Sequence, residues 1–187
     1  MLTKGQLAKA FQPYWDDMKR CRKAGAYWLL LHVVVCLPDI CAALESGNGE
    51  ATRQRYEDWC NKHLSHQQLS GPERYRMRCK VPHQGRAATD QPGRYASFAF
   101  GQPSDTGVVD HMRVEAGTLH MDVGELAREA QGLVESWIRR LEANPQAAEA
   151  VNVEKNLPSL VRITQHNIPV AGPSSGGPII ITVIKTN

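Results

Sequence analysis

Five cysteines, at positions 21, 36, 41, 60 and 79, make an odd set with no CxxC pair, so a disulfide scaffold does not hold this chain together. Several fall in apolar helical patterns, where a thiol behaves as a small hydrophobe. Charge of one sign is equally scarce. The 22 Lys and Arg against 19 Asp and Glu leave a formal charge of +3, too mild by itself to dictate a nucleic-acid or membrane partner. The opening stretch MLTKGQLAKAFQPYW lacks the basic region, apolar core and small-residue cleavage site of a signal peptide, which makes the cytoplasm the expected compartment. The most apolar run, YWLLLHVVVCL from Tyr27 to Leu37, contains His32 and is followed by Pro38 and Asp39. It falls short of the roughly 18 clean apolar residues of a membrane span, so it reads as a buried core helix and no membrane is expected.

Phosphate-loop and serine-nucleophile signatures are missing as well. The GPSSGG stretch from Gly172 to Gly177 lacks the following Lys-Ser/Thr of a P-loop, and Ser174 and Ser175 lack the GxSxG strand-turn-helix setting of a nucleophile. No internal repeat is present. At 187 residues, 42% hydrophobic and 22% charged, the chain has the composition of one soluble globular domain and is long enough to fold without staples.

Helical spacing relates Leu7, Phe11, Tyr14, Trp15, Met18 and Cys21, but Pro13 interrupts the run, so a first helix is expected near 13–23. Segment 25–46 is apolar nearly all round and should form a central helix bent at Pro38 and stopped by Ser46-Gly47-Asn48-Gly49. Glu50 to Leu64 places Tyr56, Trp59, Cys60 and Leu64 on one face of a third helix. Ser70-Gly71-Pro72-Glu73 caps a fourth, expected from about 72 to the low 80s. Between 94 and 122 the period changes to alternation, and VVDHMRV and TLHMDV flank a Glu115-Ala116-Gly117 turn, which predicts a small antiparallel β insertion. Asp122 then caps a long amphipathic helix that ends at Asn144-Pro145. These elements make a mainly α domain over 1–157, with the β insertion at about 94–122. An extended tail over 158–187 follows, in which Ile179 to Ile184 has the composition of an edge strand.

Chemistry concentrates in Arg74-Tyr75-Arg76-Met77-Arg78-Cys79-Lys80-Val81-Pro82-His83-Gln84-Gly85-Arg86, which has no acidic residue. On composition alone a solvated helix face is as good an account of it. Arginine, however, holds phosphate bidentately, and histidine transfers protons near neutral pH. Together they suffice for metal-free RNA cleavage, in which the neighbouring 2′-OH attacks the phosphate. Arg78 and His83 are five residues apart, about 140° around an ideal helix, so they do not share a face. A bend just before His83, at Pro82, or a second copy of the motif across a symmetric dimer would bring them together.

Asp39 is a charge in an otherwise apolar pattern and is costly there unless paired, so it is matched to Arg78 or Arg76; a solvated Asp at a kinked helix is the competing account. His63 and His66 are spaced like two ligands on one helix face, but no third ligand lies nearby in sequence and no metal is expected. His32 reads as a satisfied core histidine, and His111 and His120 as solvent-facing positions of the β insertion. Tyr75 and Tyr95 are the only aromatics beside the motif, too few to propose sequence readout.

The stretch Arg78-Cys79-Lys80-Val81-Pro82-His83, set after an apolar and a polar helix, resembles the signature of the HEPN superfamily, an Arg followed four to six residues later by His. The family comprises helical RNA-cleaving and nucleotide-binding domains. The resemblance implies an antiparallel helical bundle that dimerises so that two motifs face each other, forming a metal-independent endoribonuclease without a cofactor and with a toxin or defence role. By position, Arg78 would contact the scissile phosphate and His83 would transfer the proton. Asp39 and Arg76 would support them, and Arg74, Lys80 and Arg86 would guide the RNA backbone. It also implies a homodimer and, as a second protein, an antitoxin or a nucleotidyltransferase. The chain departs from the family pattern at Cys79, where a polar residue is usual, and at Pro82. A non-catalytic interaction module and a nucleotide-binding accessory domain are the competing readings.

Overall fold

A computed structural model of the chain describes residues 1–64, 68–84, 93–103 and 109–160, with the backbone alone at 82–84. Outside these residues lie His66, Arg86, the side chain of His83, the GPSSGG stretch and the proposed edge strand of the tail. Among the described residues there are six α-helices, a short 3-10 turn and one three-stranded sheet, so the fold is mainly α.

The first helix, α1 (Gln6–Lys23), starts well before the residue 13 expected from sequence and carries Pro13 inside it. Proline in a helix interior costs about 3 kcal/mol. Burial of Leu7 and Phe11, each contributing about 1.5–3 kcal/mol and lying on the face shared with Trp15 and Met18, offsets that cost. Gly25, at φ 66°, then takes the left-handed conformation that turns the chain into the next helix.

Helix α2 (Tyr27–Glu45) runs uninterrupted through Pro38, and α1, α3 (Arg53–His63), α4 (Gly71–Gln84), α5 (Val123–Ala143) and α6 (Ala148–Asn156) all pack against it. Its length and mean hydropathy of 1.9 would suffice to cross a membrane, but half of that window is buried inside the protein. Buried residues occur on both sides of the helix, from Leu30 and Leu31 through Val34, Val35 and Leu37 to Leu44, as its all-round apolar character requires. Its C-terminal carbonyls are satisfied from α6: Asn156 Nδ2 donates to Ser46 O at 2.7 Å and Leu44 O at 3.0 Å, and Asn152 Nδ2 to Glu45 O at 2.9 Å.

Thr52 caps α3, its hydroxyl oxygen accepting from Arg55 N at 3.3 Å. Ser70 and Glu73 close the start of α4, where the Glu73 carboxylate accepts from Ser70 N at 2.8 Å and Ser70 Oγ at 2.6 Å. α4 continues past Pro82 to Gln84 instead of stopping before His83. The proline comes in the last turn and removes a single backbone donor there.

The strands are β1 (Ser97–Gly101), β2 (Arg113–Glu115) and β3 (Thr118–Asp122), in the order β1-β3-β2. β2 and β3 form the expected antiparallel hairpin through Ala116 and Gly117, at φ 46° and 77°. β1 differs from the expectation: it pairs parallel to β3, with Phe98 opposite Leu119. Both side chains are buried, and the parallel register puts Phe98, Leu119 and Met121 in the core. β3 leads directly into α5, capped by Asp122 Oδ1 accepting from Glu125 N at 2.8 Å. All five cysteines are free thiols.

Candidate functional site

The basic segment is not uniformly a surface. Arg74 is buried in the first turn of α4 and donates from Nε to Leu69 O at 3.3 Å and from Nη2 to Leu64 O at 3.2 Å. Burial pulls its pKa below the usual arginine value, with Cys60, Tyr56 and Glu129 acting in the opposite direction. Its work is to satisfy carbonyls of the α3–α4 connection. Arg76 is buried too, with Nη2 at 3.7 Å from the buried Glu73 carboxylate. A Cβ on Gly93 would overlap its guanidinium, so that segment packs directly over it. The structure thus places Arg74 and Arg76 in the interior, whereas guidance of an RNA backbone by Arg74 calls for a surface position.

Among the described arginines of this segment, Arg78, one turn beyond Arg74, is the one that reaches the surface. Of the two arginines matched to Asp39, Arg78 is its partner: Nε donates to Asp39 Oδ2 at 2.6 Å, with side chains 29% and 21% exposed. Partial desolvation pulls the guanidinium's pKa down, and the hydrogen bond and charge of Asp39 push it up further. The balance lies above the ordinary value, so Arg78 is charged at every working pH. α2 supplies Asp39 immediately after Pro38, within its fourth turn, and the α2–α4 packing sets the spacing.

Residues of α2, α3 and α4 complete the surface. The Tyr75 ring lies beside Arg78, whose guanidinium carbon is 6.0 Å from its centroid, and Arg53 of α3 approaches the same ring at 5.3 Å. Arg53 donates from Nε to Glu57 at 2.7 Å. Cys36 of α2 is half-buried, and its thiol pKa is raised by burial and by Asp39 against the lowering effect of Arg78. Lys80 is half-buried on α4. His83 follows on the same helix backbone. Since α4 is unbroken, the five-residue spacing leaves Arg78 and His83 about 140° apart around one helix.

Arg53 was not among the residues expected at the site. One cue to it was its carboxylate four residues on, Glu57, a spacing that holds a guanidinium in a fixed position on a helix; its approach to Tyr75 depends on how α3 and α4 pack.

The remaining histidines have other roles. His63 lies beneath the C-terminal end of α5, with Nε2 at 3.7 Å from Glu45 and its ring 4.9 Å from Trp59. Burial, then Arg140 and Lys62, drop its pKa to about 4 against a small opposing effect of Glu149, so it is neutral at pH 7. Glu45 also accepts from Trp137 Nε1 at 2.7 Å and Arg140 Nη2 at 3.4 Å. Among the described residues no three metal-ligating side chains come together. His32 is half-buried at the surface of α2, not in the core, and gives Nδ1–H to Trp28 O at 2.7 Å. His111 is half-buried rather than solvent-facing: its Nδ1 accepts from Asp122 N at 3.2 Å while Nε2 faces Glu129 at 3.3 Å. His120 is the more open of the pair, between Asp110 and Glu115.

Comparison with protein-family models, with curated proteins and with solved structures finds no match.

Proposed function

We propose that this protein is a metal-independent endoribonuclease of the HEPN type, built on a helical bundle and active as a homodimer in which two copies of α4 face one another. The observation that carries the reading is the Asp39–Arg78 pair. A permanently charged arginine is held at the surface by a carboxylate from the neighbouring helix, five residues before a histidine on the same helix. Such an arginine is fixed in position before a substrate arrives, which is what stabilisation of a pentavalent phosphate requires. Because five residues of helix set backbone positions 78 and 83 about 140° apart, a second copy supplies the histidine to each arginine.

In the reaction, His83 removes the proton of the 2′-OH while O2′ bonds to phosphorus. The P–O5′ bond breaks, the 5′ oxygen takes a proton from water while His83 later returns its proton to solvent, and Arg78 neutralises the charge on the non-bridging oxygens. The products are a 2′,3′-cyclic phosphate and a 5′-OH. DNA, without the 2′-OH, is not cut. A toxin or defence role, with a protein partner that restrains the enzyme, follows from the same analogy.

The test is incubation of the purified chain and its His83→Ala and Arg78→Ala variants with mixed single-stranded RNA in excess EDTA. Cyclic-phosphate ends made by the wild type, and reduced at least about 100-fold in both variants, are expected. Intact RNA with folded wild type overturns the reading.

A second reading, a non-catalytic interaction module, is favoured by one observation. Trp28 and Leu29, at the start of the central apolar helix, are 53% and 59% exposed. Intact RNA together with association that is lost on Trp28→Ser would support it.

A further inference from the structure

Arg53 and Arg78 share one construction. Each gives its Nε to a carboxylate, Arg53 to Glu57 at 2.7 Å and Arg78 to Asp39 at 2.6 Å, which leaves Nη1 and Nη2 of each fork outside that bond. Each guanidinium also lies over the ring of Tyr75. The ring in turn is seated on Tyr56, T-shaped at a centroid distance of 5.5 Å. Tyr56 is fully buried and donates its hydroxyl to Val35 O at 3.1 Å. A continuous chain of contacts therefore runs from the core of α2 through two tyrosines to two arginines from different helices.

The four charges of the cluster cancel formally, but they do not lie at equal depth. The Arg53 and Arg78 side chains are 59% and 29% exposed, while Glu57 and Asp39 beneath them are 12% and 21% exposed. The outer layer is cationic and the acids below orient it. Laid end to end, the two ring distances put the guanidinium carbons no more than about 11 Å apart. Two forks no further apart than that suit a ligand with two anionic groups joined by a short linker, and arginine's planar fork matches phosphate oxygens bidentately. Successive phosphates of a single strand are such a ligand.

We propose that Arg53 is a second phosphate-binding residue, holding the phosphate next to the one at Arg78, so that a single strand crosses Tyr75 on its way from α4 to α3. This rests on the ribonuclease reading above. The grip is on phosphate and reads no 2′-OH, so it extends to single-stranded DNA as a non-cleaved ligand.

The experiment is fluorescence anisotropy of the full chain with a labelled 2′-O-methyl RNA of about ten nucleotides, which keeps every phosphate and cannot be cut. A DNA strand of the same sequence is run in parallel, each over a series of salt concentrations. Arg53→Gln should weaken binding about 3- to 10-fold on both strands and lower the salt slope by about 0.7. Arg53→Lys should keep the slope and lose part of the affinity. Arg128→Gln removes an equally exposed, carboxylate-paired arginine on α5 and should change neither. Wild-type binding with Arg53→Gln unchanged, or equal losses in Arg53→Gln and Arg128→Gln, overturns this inference and leaves the nuclease reading standing. A folded wild type that binds neither strand removes both.

Discussion

The Asp39–Arg78 pair can be weighed by a double-mutant cycle of Asp39→Ala and Arg78→Ala. Two unit charges about 4 Å apart attract by about 4 kcal/mol at an effective dielectric of about 20. Desolvation of two groups that are 21% and 29% exposed, together with immobilisation of the arginine side chain, offsets half or more of that. A net coupling of about 1–2 kcal/mol remains, above the few tenths typical of an exposed pair. The single variants do not report this quantity cleanly, since Ala is a better helix former than Asp in α2 and removes packing against Tyr75 in α4. Both effects cancel in the cycle. Urea unfolding of the four proteins, followed by far-UV circular dichroism with m-values checked for equality, gives the coupling directly. The reference is the same cycle on Glu125 and Arg128, an i,i+3 pair whose arginine is open to solvent, for which about 0.2–0.5 kcal/mol is expected. A coupling at Asp39 and Arg78 no larger than that reference would refute the claim that α2 holds this arginine in place.

Other expectations can be checked by the same unfolding assay. His63 titrates near 4 when folded and near 6.5 when unfolded, so stability is full above pH 6.5 and falls as the pH drops from 6.5 toward 4. The loss is about 2 kcal/mol after discounting for solvent around Arg140, and a His63→Gln variant with an undiminished slope would refute the assignment. Gly71→Ala places a methyl group into the Glu57 carbonyl oxygen and should cost about 2–3 kcal/mol, with the melting temperature falling by about 4–10 °C. Ala116→Asn relieves a left-handed alanine in the β2–β3 turn and should raise stability by about 0.5–1 kcal/mol; a decrease would contradict the turn geometry.

Much of the fold was legible because its signals are local. The Asp122 cap, the polar third helix and the glycines after α2 depend on neighbours in sequence, and each lies where such neighbours place it. Two features depended on distant partners. The start of α1 turns on whether burial of Leu7 and Phe11 outweighs Pro13, and the answer lies in Trp137 of α5, whose ring meets Phe11 at 5.8 Å. The parallel pairing of β1 with β3 is equally non-local, because alternation of side chains specifies a strand and its buried face without naming its neighbour.

The site divides along the same line. Arg74 and Arg78 are four residues apart on one helix and chemically identical, so spacing alone predicts the same surroundings for both. Their fates differ because the α3–α4 connection passes over the first turn of α4 and offers Arg74 two carbonyls, whereas α2 offers Arg78 a carboxylate near the surface. The cue that did separate them lies outside the basic run, in Asp39. A lone acid in an apolar helix needs a cation, and only an arginine that ends beside α2 can meet that need. Arg53 has a different cue, an acid four residues on in its own polar helix, Glu57. In this protein the arginines that face solvent next to Tyr75 are those anchored through Nε to a carboxylate, and those bound to backbone carbonyls or to a buried acid belong to the interior.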